Sequence, residues 1–232
     1  MPDQHVVQVK VWGEFACFTR PDMKVERVSY PVMTPSAARG ILEAILWKPE
    51  FRWWVRAIHV LKLIQFIPVR RNEVEGKASI QAIANWIKGK KQFSPLFADS
   101  DEKGKGGRTQ RNTVALRDVA YLIEASIHLP NGFSAENPPV KYREMFERRV
   151  EKGQCHARPV LGCREFAADF GPPDGSEQPI PDSRDLGLML LDVIHPKRGE
   201  RAPRFFAARL EQGILHVPDS QLEAFWKEVI KQ

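Results

Sequence analysis

Lys141 and Tyr142 are the side chains whose types and placement could do chemistry. Pro138-Pro139 opens a helical pattern over about 140–152 and Gly153 closes it, so Lys141 falls in the first turn. A helix start exposes unpaired backbone N–H groups and the positive end of the helix dipole, which suits a phosphate. Arg148 and Lys152 follow Lys141 at i+7 and i+11, on the same helical face. Tyr142 points elsewhere, with Met145 and Phe146 at i+3 and i+4, and reads either as a catalyst or as a half-buried core residue. A second constellation runs from Leu46-Trp47-Lys48-Pro49 through Arg52-Trp53-Trp54-Val55-Arg56. Flat rings stack on unpaired bases while Lys and Arg hold phosphates, the pattern of single-strand nucleic-acid binding. The alternative is a core aromatic cluster at a helix–strand junction.

Other chemistries find little support. Cys155-His156 with Cys163 lacks the paired spacing of zinc ligands. There is no phosphate-binding P-loop, dinucleotide fingerprint or H-E-x-x-H helix, so no cofactor and no metal site is expected. The acidic residues are scattered or sit beside bases, unlike the clustered carboxylates of a two-metal nuclease. Charge is more telling. The net charge of the 232 residues is +6, but residues 166–232 hold 8 Lys/Arg against 11 Asp/Glu, and residues 1–165 hold 27 against 18. A net of +9 confined to the first 165 residues suits a polyanion, and includes non-specific duplex DNA among the partners expected. A basic solvated surface is the plainer reading. Three cysteines without paired spacing, no apolar run of the ~18 residues a membrane helix needs and no leader pattern in Met1-Pro2-Asp3-Gln4-His5 point to the cytoplasm.

The elements that must position these residues follow from periodicity. Val7 to Trp12 alternates as a half-buried strand. Thr34 caps a helix with Pro35 at its first position, and Ala38, Ile41, Leu42, Ile45 and Leu46 form its apolar stripe before Pro49 stops it. A β-rich run covers Trp53–Val69. Residues 73–114 then break the pattern, with a short amphipathic helix on Ile80, Ile83, Ala84 and Ile87. The loop Asp99–Arg108 after it is long enough to expect mobility without a ligand. Val119–Leu129 is a strand, the Lys141 helix follows, and a strand near Arg158–Phe166 closes the order β-α-β-β-α-β. That order predicts an α+β fold, with a ferredoxin-like, RNA-recognition-like domain over 1–170 that leaves one sheet face free. Residues 171–232 predict a C-terminal antiparallel β subdomain: a strand at Leu186–Ile194, a hairpin around Glu211-Gln212-Gly213, and a final helix presenting Leu222, Phe225, Trp226, Val229 and Ile230.

An ordered set of segments also resembles a known family. It comprises Val9-Lys10-Val11-Trp12-Gly13-Glu14-Phe15 running to Arg20-Pro21, Ser29-Tyr30-Pro31-Val32, and Ala38-Arg39-Gly40-Ile41 running to Trp47-Lys48-Pro49. Gln110-Arg111-Asn112-Thr113, Arg117-Asp118-Val119-Ala120-Tyr121, Val140-Lys141-Tyr142 and Leu161-Gly162-Cys163-Arg164-Glu165-Phe166 complete it. These segments are similar to those of the fifth family of CRISPR-associated (Cas) proteins, in its subtype I-C form. The resemblance covers most of the first 170 residues and is looser beyond.

The resemblance implies a metal-independent endoribonuclease that cuts CRISPR repeat RNA. The ribose 2′-hydroxyl attacks the adjacent phosphate and leaves a 2′,3′-cyclic phosphate. It also implies that the protein stays on the 5′ handle of the guide, in an interference complex with backbone, large and small subunits. A non-catalytic handle-binding subunit is the alternative. The family pattern uses a Tyr at the end of the first helix and a Lys-His pair opening the second. Lys141 matches the Lys and is expected to stabilise charge on the phosphorane, but Leu46 and Tyr142 stand where the Tyr and His are expected. A phenol near pKa ~10 is a weaker base at neutral pH than an imidazole near ~6.5, so Tyr142 can serve only if Lys141 lowers its pKa, or by orienting the nucleophile. His156 is the substitute base. Tyr30, Trp47, Lys48, Arg111, Arg148 and Lys152 are the RNA-binding candidates.

Overall fold

The computed structural model describes residues 5–23, 25–74, 79–93, 107–129, 138–195 and 200–230. The elements in chain order are β1 (Val6–Ala16), β2 (Arg27–Val28), α1 (Pro35–Ile45), β3 (Arg52–Val60), β4 (Phe66–Val74), α2 (Ile80–Ile87) and β5 (Arg108–His128). They continue as α3 (Pro139–Glu151), β6 (Asp169–Gly171), β7 (Arg184–Ile194), β8 (Ala202–Glu211), β9 (Ile214–His216) and α4 (Asp219–Ile230). Strands β6-β1-β5-β3 lie side by side, with β1 antiparallel to β5 and β6, and β3 antiparallel to β5. Together with α1 after β1 and α3 after β5, this is the ferredoxin-like arrangement that the order of elements predicts. Strands β9, β8 and β7 then continue the same sheet from β3, each antiparallel to its neighbour.

Alternation decides which face each strand buries. Val7, Val9 and Val11 of β1 and Tyr121, Ile123 and Ala125 of β5 point inward with Trp53 and Val55 of β3. On the other face Gln8 stands opposite Glu124 and donates to its carboxylate at 3.1 Å. Lys10 on that face forms ion pairs with Asp174 and Glu177, at 3.1 and 3.0 Å, from the segment after β6. That segment therefore partly covers the sheet face expected to be free.

Helix α1 begins as its sequence predicts. The Thr34 hydroxyl accepts a hydrogen bond from the Ala37 amide at 3.2 Å, Pro35 opens the first turn, and Ala38, Ile41, Leu42, Ile45 and Leu46 are buried. Its end is less ordinary. No basic side chain lies in its last turn, and its terminal carbonyls take donors from elsewhere. Arg149 of α3 donates to the Ile45 carbonyl at 2.5 Å, the backbone amides of His156 and Ala157 to Ala44 at 2.7 and 3.2 Å, and the Trp53 indole to Leu46 at 2.9 Å. Helix α3 buries Tyr142, Phe146 and Val150, one side chain per turn, and ends at Gly153 with φ +62°.

By compactness the chain divides into two units, Met1–Ile67 with Val114–Gln232, and Pro68–Thr113. Within the second lie α2, capped by Ser79, and strand pairing between β4 and β5. The mobile-loop expectation for 99–106 lies outside the described residues. The boundary expected near residue 170 falls inside the first unit, where β7, β8 and β9 extend one sheet. Two local expectations are corrected. The run 53–69 breaks into β3 and β4, since a turn intervenes at 61–65. The strand expected at 158–166 is instead a turn, because Gly162 takes φ +87° to cross the backbone of Cys17; the closing strand is the three-residue β6.

Helix α1 is tied to β7 by a single ionic fork: the Arg39 guanidinium donates to both Asp192 oxygens, at 2.5 and 2.8 Å, and to Glu43 at 2.7 Å. The Asp192 side chain is 8% exposed, so removing its partner leaves a nearly buried charge. Arg39→Met is expected to lower unfolding free energy by about 3–5 kcal/mol in urea titrations. The pair Arg39→Met with Asp192→Leu should recover most of that loss.

Candidate nucleic-acid interface

The outer face of α3 carries the cations. Lys141, Arg148 and Lys152 are all exposed, and their spacing sets them roughly 10 and 16 Å from Lys141 along the helix axis. The helix opens without a side-chain cap, Pro138 being its N-cap residue, so its first-turn donors rely on other partners. An aromatic cluster holds this opening turn in place. The Tyr142 ring packs on Phe51 at 4.9 Å, Phe51 meets Trp53 edge-on at 5.0 Å, and Trp53 packs on Phe146 at 4.9 Å. The first and second turns of α3 are thereby moulded against β3, and Lys141 emerges from a rigid base. Its ammonium lies 5.9 Å from the centre of the Tyr142 ring.

Tyr142 itself is not a base at the surface. It is 2% exposed, its hydroxyl has no hydrogen-bond partner, and burial together with the Glu50 charge pushes the phenol above its ordinary value. Tyr142 could serve as a base only if Lys141 lowered its pKa, and burial raises it instead. His156 is exposed but belongs to the opposite end of α3, where its amide holds the Ala44 carbonyl. The helix between the two ends rises about 15 Å from residue 141 to 151. The structure thus does not bring His156 to Lys141, and Leu46 is fully buried.

The binding candidates divide by exposure. Trp47 is 56% exposed beside half-buried Lys48, at the end of α1, as a stacking ring and a phosphate contact must be. Trp53 and Trp54 are core, and Trp54 stacks on His128 at 4.2 Å, so the core alternative holds for those two rings. Tyr30 is 5% exposed with its oxygen hydrogen-bonded to the Leu190 backbone and its phenol pushed up by burial. Its ring is therefore part of the core rather than an exposed surface for RNA. Arg111 is half-buried on β5, in the smaller unit.

One feature escapes the pattern of cations and rings. Ser36, Ala37, Gly40 and Ala44 run along one side of α1 and, with Arg158, line an open groove of about 360 Å³. That volume is at the lower end for a bound small group. The small side chains are readable in the sequence at i, i+1, i+4 and i+8, but Arg158 reaches them only because the 156–157 backbone docks on Ala44.

The chain is similar to known proteins along most of its length. The family model described as "CRISPR-associated protein (Cas_Cas5)" matches residues 6–218. A Thermus thermophilus protein named CRISPR pre-crRNA endoribonuclease Cas5d is 45% identical over 242 residues, covering 95% of each chain. A Mannheimia succiniciproducens protein of the same name is 42% identical over 234 residues, covering 97% of this chain and 98% of its own. Among solved structures, one titled as a CRISPR-associated protein aligns with a TM-score of 0.62 at 21% identity, over 92% of this chain and 91% of that one. A functionally uncharacterized Streptococcus mutans protein, SMU1763c, aligns with the same TM-score at 20% identity, over 93% of each. These two carry the fold. The match over residues 6–218 and the two relatives above 40% identity carry more: the chain belongs to the Cas5 family of CRISPR-associated proteins.

Proposed function

We propose that this chain is a metal-independent endoribonuclease that cuts CRISPR repeat RNA and stays on the 5′ handle of the product within a type I-C interference complex. The observation that carries the reading is the near full-length identity to two relatives named as pre-crRNA endoribonucleases. The exposed Lys141 at an uncapped helix start supports it at the level of the site.

The chemistry asks for little from the protein. The 2′-hydroxyl of the ribose is the nucleophile, the 5′-oxygen of the next nucleotide leaves, and negative charge gathers on the phosphorane between them. Lys141 stabilises that charge, an arrangement pre-set by the aromatic base under the helix. Arg148 and Lys152 hold phosphates along the helix, and Trp47 with Lys48 receives an unpaired base and its phosphate. Tyr142 supports this surface from beneath. The proton of the 2′-hydroxyl passes to a group other than Tyr142, whose raised pKa leaves it protonated at neutral pH.

A second reading, a handle-binding subunit that does not cut, draws on the buried Leu46 and Tyr142 at the two positions where the family pattern has a Tyr and a His. Incubation of the purified chain with a subtype I-C repeat hairpin in EDTA separates the two. Cleavage at one position is the expected result; tight binding with intact RNA supports the second reading instead.

Lys141→Ala should lower the single-turnover cleavage rate by about 10²–10³, as loss of one charge stabiliser does, while repeat affinity falls less than tenfold. A rate equal to wild type removes Lys141 from the site. Tyr142→Phe should cleave within about twofold of wild type and melt at the same temperature or higher, since it deletes a buried hydroxyl with no hydrogen-bond partner. A large drop in rate with unchanged melting would return the phenol to catalysis.

A further inference from the structure

Away from the cationic helix, two of the three cysteines meet. Cys17 follows β1 and is fully buried, whereas Cys163 sits in the 161–166 turn and is partly exposed. The turn is fastened beside Cys17. The Cys17 amide donates to Leu161 at 3.0 Å, Leu161 to Phe166 at 2.7 Å, and Phe166 to Cys163 at 3.0 Å. Gly162 permits this closeness: a Cβ there would lie 2.1 Å from the Cys17 carbonyl oxygen. The Thr19 hydroxyl lies 3.4 Å from the Cys17 sulfur and 3.7 Å from that of Cys163, so one hydroxyl bridges both. The Arg27 guanidinium, ion-paired with Glu165 at 3.1 Å, also approaches the Cys163 sulfur at 3.7 Å, and the protonated Cys163 thiol donates to the Cys17 carbonyl at 3.5 Å.

We propose that Cys163 is a peroxide-reactive thiol and that Cys17 resolves its oxidised form, giving a reversible Cys17–Cys163 disulfide. A buried thiol, a hydroxyl and a guanidinium placed around one partly exposed sulfur are the surroundings that favour a thiolate. Hydrogen bonding from Cys17, with Thr19 and Arg27 adding to it, pulls the Cys163 thiol below its ordinary value against burial and the Glu165 carboxylate. Cys17 is pushed up by the same hydrogen bond and by burial.

The steps balance. The Cys163 thiolate attacks one peroxide oxygen, a sulfur–oxygen bond forms as the oxygen–oxygen bond breaks, and the other oxygen leaves as hydroxide or alkoxide. Sulfur is oxidised by two electrons to the sulfenic acid and the peroxide is reduced. The Cys17 sulfur then attacks the sulfenyl sulfur; the sulfur–sulfur bond forms, and hydroxide leaves with the Cys17 proton as water. Once Cys163 is no longer a thiolate, its share of the rise at Cys17 is gone and only burial still raises it. A dithiol reductant reverses the bond by exchange.

The exposed Cys155 is a built-in control, because exposure alone would make it react first. The reduced full-length chain is treated with hydrogen peroxide at pH 7, quenched by alkylation, digested without reductant and mapped by mass spectrometry. The expected product is a linked peptide joining Cys17 to Cys163, abolished by dithiothreitol, with Cys155 still alkylatable. In the untreated chain, iodoacetamide at pH 6.5 should label Cys163 several-fold faster than Cys155. In Cys17→Ser, peroxide should leave Cys163 as a sulfenic acid trapped by dimedone. Oxidation of Cys155 ahead of Cys163, or no linked peptide in the wild-type chain, overturns the proposal.

Discussion

The last carbonyls of α1 depend on donors from three other parts of the chain. Arg149, the 156–157 backbone and the Trp53 indole converge on Ala44, Ile45 and Leu46. A helix end with no cation of its own, and a dipole that favours one, is thereby completed by α3, by the loop after it and by β3. Remove that arrangement and α3 has no fixed angle to α1. With it, the rest follows: Phe146 and Tyr142 fall on Trp53 and Phe51, and Lys141 is carried to a defined place at the edge of the first unit.

The same constraint explains why the candidate active-site residues separate. One end of α3 is committed to capping α1, and His156 goes with it; the other end carries the exposed Lys141. Tyr142 lies under that exposed end because its turn must bury something against Phe51, and a phenol ring does so better than a smaller, more polar imidazole. The phenol's raised pKa is a consequence of that packing, so the chain departs from a Lys-His arrangement in chemistry as well as in spelling. What remains at the surface is positive charge and shape. The 161–166 turn makes a parallel point: Gly162 brings Cys163 onto Cys17 through backbone geometry, with no chemistry visible in either segment alone.

Much of the framework was readable from periodicity. The Thr34-Pro35 start and the Ile41-Leu42-Ile45 stripe specify α1, Pro139 and Gly153 bracket α3, and Gln212-Gly213 turns β8 into β9 with φ of 48° and 77°. The β6-β1-β5-β3 order follows from the alternation of strands and helices. The residues that were misread are those whose environment is tertiary. Tyr30 and Tyr142 look amphipathic in sequence, and only the β7 backbone and the Phe51–Trp53 pair reveal them as core. The 158–166 segment has strand composition, but its geometry is set by contact with Cys17, more than 140 residues earlier. The join of β9 to β3 was equally hidden, because a hairpin's outer neighbour is not written in its own residues.

At the centre of the account, the RNA supplies its own nucleophile and the protein supplies charge and position. A repeat hairpin carrying a single 2′-deoxy substitution at the nucleotide 5′ of the cut tests this most directly, assayed beside the unmodified RNA in EDTA. The account predicts that the substituted RNA binds as tightly and is not cut, while the unmodified RNA yields a 2′,3′-cyclic phosphate. Cleavage of the deoxy-substituted hairpin at the same position would contradict it.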